Sequence, residues 1–175
     1  MYPIDVYGGM IRDKDRTDVY RDALRAAVRP DSVVLDIGTG TGILALLACR
    51  FGARKVYAVE HEGIIQLARQ AAAANGFADR IEFIQDMSTR INLTEKVDVI
   101  VSDLHGALPE YGSSLFSIID ARERFLSPGG CLIPSKDTMW AALASVPEVH
   151  GGLADHDASR SKSRNTASPP SRVVS

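Results

Sequence analysis

Residues Val33–Glu60 read VVLDIGTGTGILALLACRFGARKVYAVE. The run opens on Val33, Val34, Leu35 and Ile37, an apolar segment bounded by Pro30 and Gly38. Apolar residues without alternation predict a strand buried on both faces of a parallel sheet. Gly38, Gly40 and Gly42 follow at alternate positions, as in a tight turn that a ligand approaches closely. Ile43 to about Phe51 then has helical spacing, with Thr41 as its candidate cap and Gly52 as its stop. Val56–Val59 is a second apolar run, and Glu60 stands at its carboxyl end. In open α/β sheets, ligands bind at the carboxyl ends of strands.

Glu60 lies at the distance from the turn where a carboxylate accepts the two hydroxyls of a ribose in Rossmann-like sites. NAD and S-adenosylmethionine both contain that ribose, so the acid alone does not separate them. The turn does. A dinucleotide fingerprint, G-x-G-x-x-G, needs glycine or alanine at position 43, where this chain has Ile43. The spacing here is G-x-G-x-G, with Asp36 inside the preceding strand. S-adenosylmethionine has no pyrophosphate but carries an ammonium, which Asp36 or neighbouring carbonyls can hold. The reading is therefore an S-adenosylmethionine site of the methyltransferase type. A dinucleotide site and a sheet that binds nothing are the alternatives.

The same alternation of elements continues on both sides. Asp13–Val28 has helical spacing, with Tyr20, Leu24, Ala27 and Val28 on one face, and Pro30 ends it. Gly63–Asn75 is a further helix, and Ile81–Ile84 and Val97–Val101 are further strands. Leu115–Leu126 is helical, Ser127–Gly130 is a turn, and Cys131–Ile133 is a fifth strand. Alternating β and α elements predict an α/β fold, a Rossmann-like parallel sheet with helices on both faces. The organisation expected is a helical segment at 1–29 that contributes to the cofactor site, a methyltransferase domain at 30–149, and a tail at 150–175. The tail is rich in Ser, Arg, Gly and Pro and poor in apolar residues, so it reads as disordered.

At 175 residues and a formal net charge of −2, the chain has no field that would draw nucleic acid or a membrane surface. No apolar stretch reaches the ~18 residues of a membrane span. No signal peptide is visible at the start. Cys49 and Cys131 have no C-x-x-C partner, so metal or disulfide roles are not expected. A reducing, cytoplasmic setting is the matching expectation.

Further segments resemble the protein arginine N-methyltransferases, particularly their shorter bacterial relatives. Tyr7-x-x-Met10-Ile11-x-Asp13-x-x-Arg16 is similar to the family's N-terminal helix motif. Asp36, Gly38, Gly40 and Gly42 match its cofactor loop, and Val56–Glu60 its ribose motif. Lys96–Ser102 resembles the strand that leads to the active site. Ala121-Arg122-x-x-Phe125-Leu126-x-Pro128-Gly129-Gly130-x-Leu132-Ile133-Pro134 resembles the helix and strand after it. The resemblance implies that Arg16 pairs with the cofactor carboxylate, where a guanidinium binds bidentately. It also puts Asp86 and Met87, after the third strand, where such folds recognise adenine. An acid there accepts the exocyclic amine, and the next backbone N–H reaches a ring nitrogen.

The chain departs from the family at two places. The family's active loop carries two glutamates that orient the target guanidinium by charged hydrogen bonds. Here the loop is Ser102-Asp103-Leu104-His105-Gly106-Ala107-Leu108-Pro109-Glu110-Tyr111-Gly112. Asp103 replaces the first glutamate, one methylene shorter, and the second position falls on Gly112. Glu110 is the nearest substitute acid, and His105 is a candidate to bind substrate or act as a base. Asp103, Glu110 and His105 are thus the candidate catalytic residues. The second departure is length. The family continues into a β-barrel that walls the substrate groove, whereas here only Asp137–Ser145 resembles a barrel strand, an exposed edge near Trp140 able to mediate oligomerisation. Three functions remain open: methyl transfer to a protein or peptide arginine, methyl transfer to another small-molecule acceptor, and a cofactor-binding fragment without activity.

Overall fold

A computed structural model describes residues 4–104, 114–139 and 141. The chain divides into two compact units, Met1–Asp137 and Thr138–Ser175. Nearly all described residues belong to the first. In the second, residues 138, 139 and 141 form no strand. The remainder of the expected barrel strand, Trp140 included, and the tail lie outside the described residues.

The first unit runs α1 (Ile4–Arg12), α2 (Lys14–Ala27), β1 (Val33–Ile37), α3 (Ile43–Arg50), β2 (Lys55–Val59), α4 (Ile65–Ala74), a 3-10 turn (Ala78–Arg80), β3 (Ile81–Ile84), β4 (Val97–Ser102), α5 (Ser114–Phe125) and β5 (Leu126–Ile133). The strands form one sheet in the order β3-β2-β1-β4-β5, and every neighbouring pair is parallel. From β1 the chain builds outward to β2 and β3, then returns to place β4 on the other side. The junction of β1 and β4 is therefore the topological switch point, where open α/β sheets leave a crevice at the carboxyl ends of their strands.

Alternation within the strands produces two apolar layers. Val34, Val56, Ala58, Val99 and Val101 join Leu24 of α2 and Leu44, Ala45, Ala48 and Cys49 of α3 in one core. Val33, Leu35, Ile37, Tyr57, Val59 and Ile100 join Ala121 and Phe125 of α5 in the other. Both faces of β1 are apolar because both are covered, which is why its sequence shows no alternation. Asp36 is the exception. It is fully buried on a strand otherwise made of Val, Leu and Ile.

Several local features differ from the sequence expectations. The segment before Asp13 is a separate helix, α1, although Gly8 and Gly9 are poor helix formers. Asp13 divides it from α2 by capping: its side chain accepts the Arg16 backbone N–H at 3.2 Å. Thr41 does not cap α3. Gly42 occupies the cap in the left-handed region, φ 86°, and no side chain bonds there. The expected turn Ser127–Gly130 is part of β5, whose pairing with β4 is irregular between Val97 and Val99.

Gly42 also differs in role. A Cβ there would lie 2.9 Å from the Ala68 Cβ and 3.3 Å from its Cα, so the absent side chain admits α4 rather than a ligand. Gly76 shares the left-handed backbone, φ 74°, but faces open space. Gly76→Ala therefore carries only the backbone cost of about 1–2 kcal/mol, and Gly42→Ala adds about 1–3 kcal/mol of overpacking. Urea unfolding of the two variants measures the difference; equal losses would contradict the packing role of Gly42.

Candidate active site

A cavity of about 420 Å³ opens at the switch point, within the size range of small-molecule sites. Three strand ends form its floor: Gly38, Thr39 and Gly40 after β1, Glu60, His61 and Glu62 after β2, and Asp103 and Leu104 at the end of β4. Tyr7, Met10 and Ile11 of α1 and Arg16, Thr17 and Tyr20 of α2 form the opposing wall. Thr41, Ile43 and Leu44 close the side where α3 begins.

Glu60 is buried, and its two oxygens have separate tasks. Oε2 accepts the Gly40 N–H at 3.2 Å, and Oε1 accepts the Glu62 N–H at 2.9 Å. The Gly38 and Thr39 amides donate to the Val59 carbonyl at 2.9 and 3.0 Å. The glycine turn is thereby tied to the end of β2. A carboxylate has about four lone-pair sites, so Glu60 retains acceptor capacity towards the cavity. His61 stands beside it, half exposed, with Nδ1 3.2 Å from Glu60 Oε1 and Nε2 3.3 Å from Glu62 Oε1.

At the other end, Arg16 Nη2 pairs with Asp103 Oδ2. The Tyr20 hydroxyl donates to the Ser102 carbonyl at 3.1 Å and to Asp103 Oδ1 at 3.2 Å. Burial, and then the charge and hydrogen bond of Asp103, push the Tyr20 phenol far above its ordinary range. It is a protonated donor at any working pH.

Asp36 lies beneath the turn and does not line the cavity. Its Oδ2 accepts the Thr39 hydroxyl at 2.6 Å, while Oδ1 has no hydrogen-bond partner among the described residues. Desolvation raises its pKa from 3.8 to about 7, against the lowering effects of the Thr39 hydroxyl and the Ala45 N–H. Asp103 and Glu60 add to the rise through their charges.

The structure thus brings together Arg16, Gly38, Gly40, Glu60 and Asp103 around one cavity. Gly42 and Asp36 sit behind its wall. Asp86 and Met87 follow β3 and do not line it. There the Met87 N–H donates to Asp86 Oδ1 at 2.7 Å, a local turn in place of the open donor expected for a ring nitrogen. Arg124 of α5 fixes this segment by donating to the Ser88 and Ile91 carbonyls. His105, Glu110 and Gly112 lie outside the described residues. The sequence reading overlooked His61 and gave Tyr20 only a core role. The Glu-His-Glu tripeptide at a strand end and the four-residue spacing of Arg16 and Tyr20 were the available signals.

A family model described as ribosomal protein L11 methyltransferase (PrmA) matches residues 15–135. The chain belongs to the PrmA methyltransferase family. This methyltransferase domain is 40% identical over 152 residues to protein arginine N-methyltransferase 6 of Danio rerio, covering 86% of this chain and 44% of that protein. It superposes on the structure of Arabidopsis thaliana protein arginine methyltransferase 10 with a TM-score of 0.80 and 36% identity, covering 89% of this chain and 45% of that one. It also resembles the Trypanosoma brucei PRMT1 enzyme-prozyme heterotetrameric complex with AdoHcy, with a TM-score of 0.69 and 38% identity over 73% of this chain and 41% of that one. The chain therefore spans less than half the length of these relatives. Among the described residues no helix of the methyltransferase is long and apolar enough to cross a membrane.

The raised Asp36 value has a consequence for stability. A group whose folded pKa exceeds its unfolded value contributes stability that is fully present below the unfolded value and lost as pH rises through the folded one. For Asp36 that window runs from about pH 4 to about pH 7. Asp36→Asn cannot ionise, so its urea midpoint, relative to that of the unsubstituted chain, is predicted to rise across the window. A constant difference between pH 4 and 8 would contradict the buried, neutral carboxyl.

Proposed function

We propose that this chain is the cofactor-binding and methyl-transferring part of an S-adenosylmethionine-dependent protein arginine N-methyltransferase. The observation that carries the reading is the arrangement of one cavity between two acids. Glu60 stands at one end with free acceptor capacity, the Gly38–Gly40 turn is beside it, and Arg16 and Asp103 stand at the other. That is the order in which a ribose, a sulfonium-bearing chain and a carboxylate succeed one another in the cofactor. The residues fit it: Glu60 for the ribose hydroxyls, the turn for close approach and Arg16 for the carboxylate, with Asp36, whose Oδ1 has no hydrogen-bond partner among the described residues, assigned to the ammonium from behind the turn. Asp86 and Met87 are assigned to adenine, with the local Asp86–Met87 bond exchanged for the base. The relatives named as arginine methyltransferases, one of them in complex with AdoHcy, support the same reading.

Bound there, the cofactor supplies a methyl group made electrophilic by its sulfonium. The chain's task is alignment. Asp103 accepts hydrogen bonds from the acceptor guanidinium and turns one nitrogen lone pair towards the methyl carbon. The nitrogen that would take the methyl group must give up a proton. Glu110 and His105 are the candidates for holding the rest of the guanidinium and for accepting that proton. The segment 1–29 serves the cofactor site, since α1 and α2 contribute six of the cavity's lining residues. Residues 30–149 are the S-adenosylmethionine-binding methyltransferase domain, and the cytoplasm is the setting.

One observation favours a second reading. Asp103 is shorter than the family's glutamate, and Gly112 carries no carboxylate at the second position. A site with one oriented acid suits a smaller nitrogen acceptor as well as a peptide arginine.

Calorimetry with S-adenosylmethionine tests the cofactor assignment. Binding is expected, and Glu60→Ala is expected to weaken it by about 10- to 100-fold, the value of a charged hydrogen-bond acceptor. No binding, or binding indifferent to that substitution, would overturn it. A radiolabelled methyl assay on arginine-rich peptides tests the acceptor: label on arginine is the expected result, and label on a small amine alone would favour the second reading.

A further inference from the structure

We infer that Tyr20 is a positioning residue for Asp103, forming with Arg16 a two-point clamp that presents the acid to a cationic N–H acceptor. The inference rests on the proposed function. The two clamp residues are four positions apart on α2, so their side chains leave the same face of the helix, one turn from each other. Each takes a different oxygen of the same carboxylate, Arg16 through Oδ2 and Tyr20 through Oδ1. The Tyr20 hydroxyl also approaches the Ser102 carbonyl, so it engages both the backbone at the end of β4 and the side chain that follows.

The shortness of Asp103 makes this grip consequential. An aspartate has one fewer rotatable bond than a glutamate, so its carboxylate is aimed by the backbone and by whatever holds its oxygens. With one lone pair of each oxygen engaged by α2, each oxygen keeps acceptor capacity for a substrate N–H. Such a pair of acceptors matches a planar guanidinium or an ammonium, which offers several N–H donors. It matches a single hydroxyl poorly. A phenol buried as Tyr20 is remains a donor to Asp103 throughout.

Tyr20→Phe preserves the ring and removes only the hydroxyl. In full-length chain carrying 13C-labelled aspartate, the Asp103 side-chain carboxyl signal, assigned with Asp103→Asn, is expected to shift at constant pH while the other aspartate signals hold. S-adenosylhomocysteine affinity is expected to change by less than about 2-fold. In the methyl assay kcat is expected to fall about 10-fold or more with the cofactor KM unchanged, and adding Tyr20→Phe to Asp103→Asn is expected to cost nothing further. An unmoved Asp103 signal would overturn the clamp even in a chain that transfers no methyl group, and so would an unchanged kcat in one that does. Failure of the unsubstituted chain to bind S-adenosylhomocysteine would instead sink the cofactor reading, leaving the carboxyl signal to decide the clamp.

Discussion

The Glu60 carboxylate is the point on which the site depends. It is buried at the end of β2 and bonded to the Gly40 and Glu62 amides, so it fixes the glycine turn after β1 against its neighbouring strand. Two backbone N–H groups give it reason to remain where a ligand's hydroxyls can reach it. Asp36, beneath the turn, is fully buried, and that burial pushes its carboxyl pKa up to about 7.

Much of the fold was legible because a parallel sheet covered on both faces writes continuous apolar runs. Val56–Val59 is such a run, Val33–Ile37 and Val97–Val101 are apolar but for Asp36 and Asp98, and all three lie in strands. The turn chemistry was less legible. Three glycines at alternate positions look alike in sequence, yet a side chain at Gly38 would run into Leu104, one at Gly40 would approach Tyr7, and one at Gly42 would strike α4. Only the first two positions line the cavity. The short first helix was expected from the resemblance at Tyr7–Arg16 and not from intrinsic propensity, which Gly8 and Gly9 oppose.

Within the site, single residues were easier to pick than their partnerships. Glu60, Arg16 and Asp103 each stood out by position, but their bonds depend on long-range geometry that spacing does not encode. Arg16 was assigned to the cofactor and Asp103 to the acceptor, and the fold pairs the two. Tyr20 was a core residue by its helical phase, yet its hydroxyl reaches a residue 83 positions away. Switch-point topology explains the convergence: α2 packs where β1 and β4 part, so its polar face meets the ends of both.

The central claim is that the crevice between β1 and β4 holds S-adenosylmethionine, organised by Glu60. A crystal structure of the chain with S-adenosylhomocysteine tests it most directly. The ribose hydroxyls are predicted on the Glu60 carboxylate and the ligand's carboxylate on Arg16. A ligand bound elsewhere, or one in this cavity that leaves Glu60 with only its backbone partners, would contradict it.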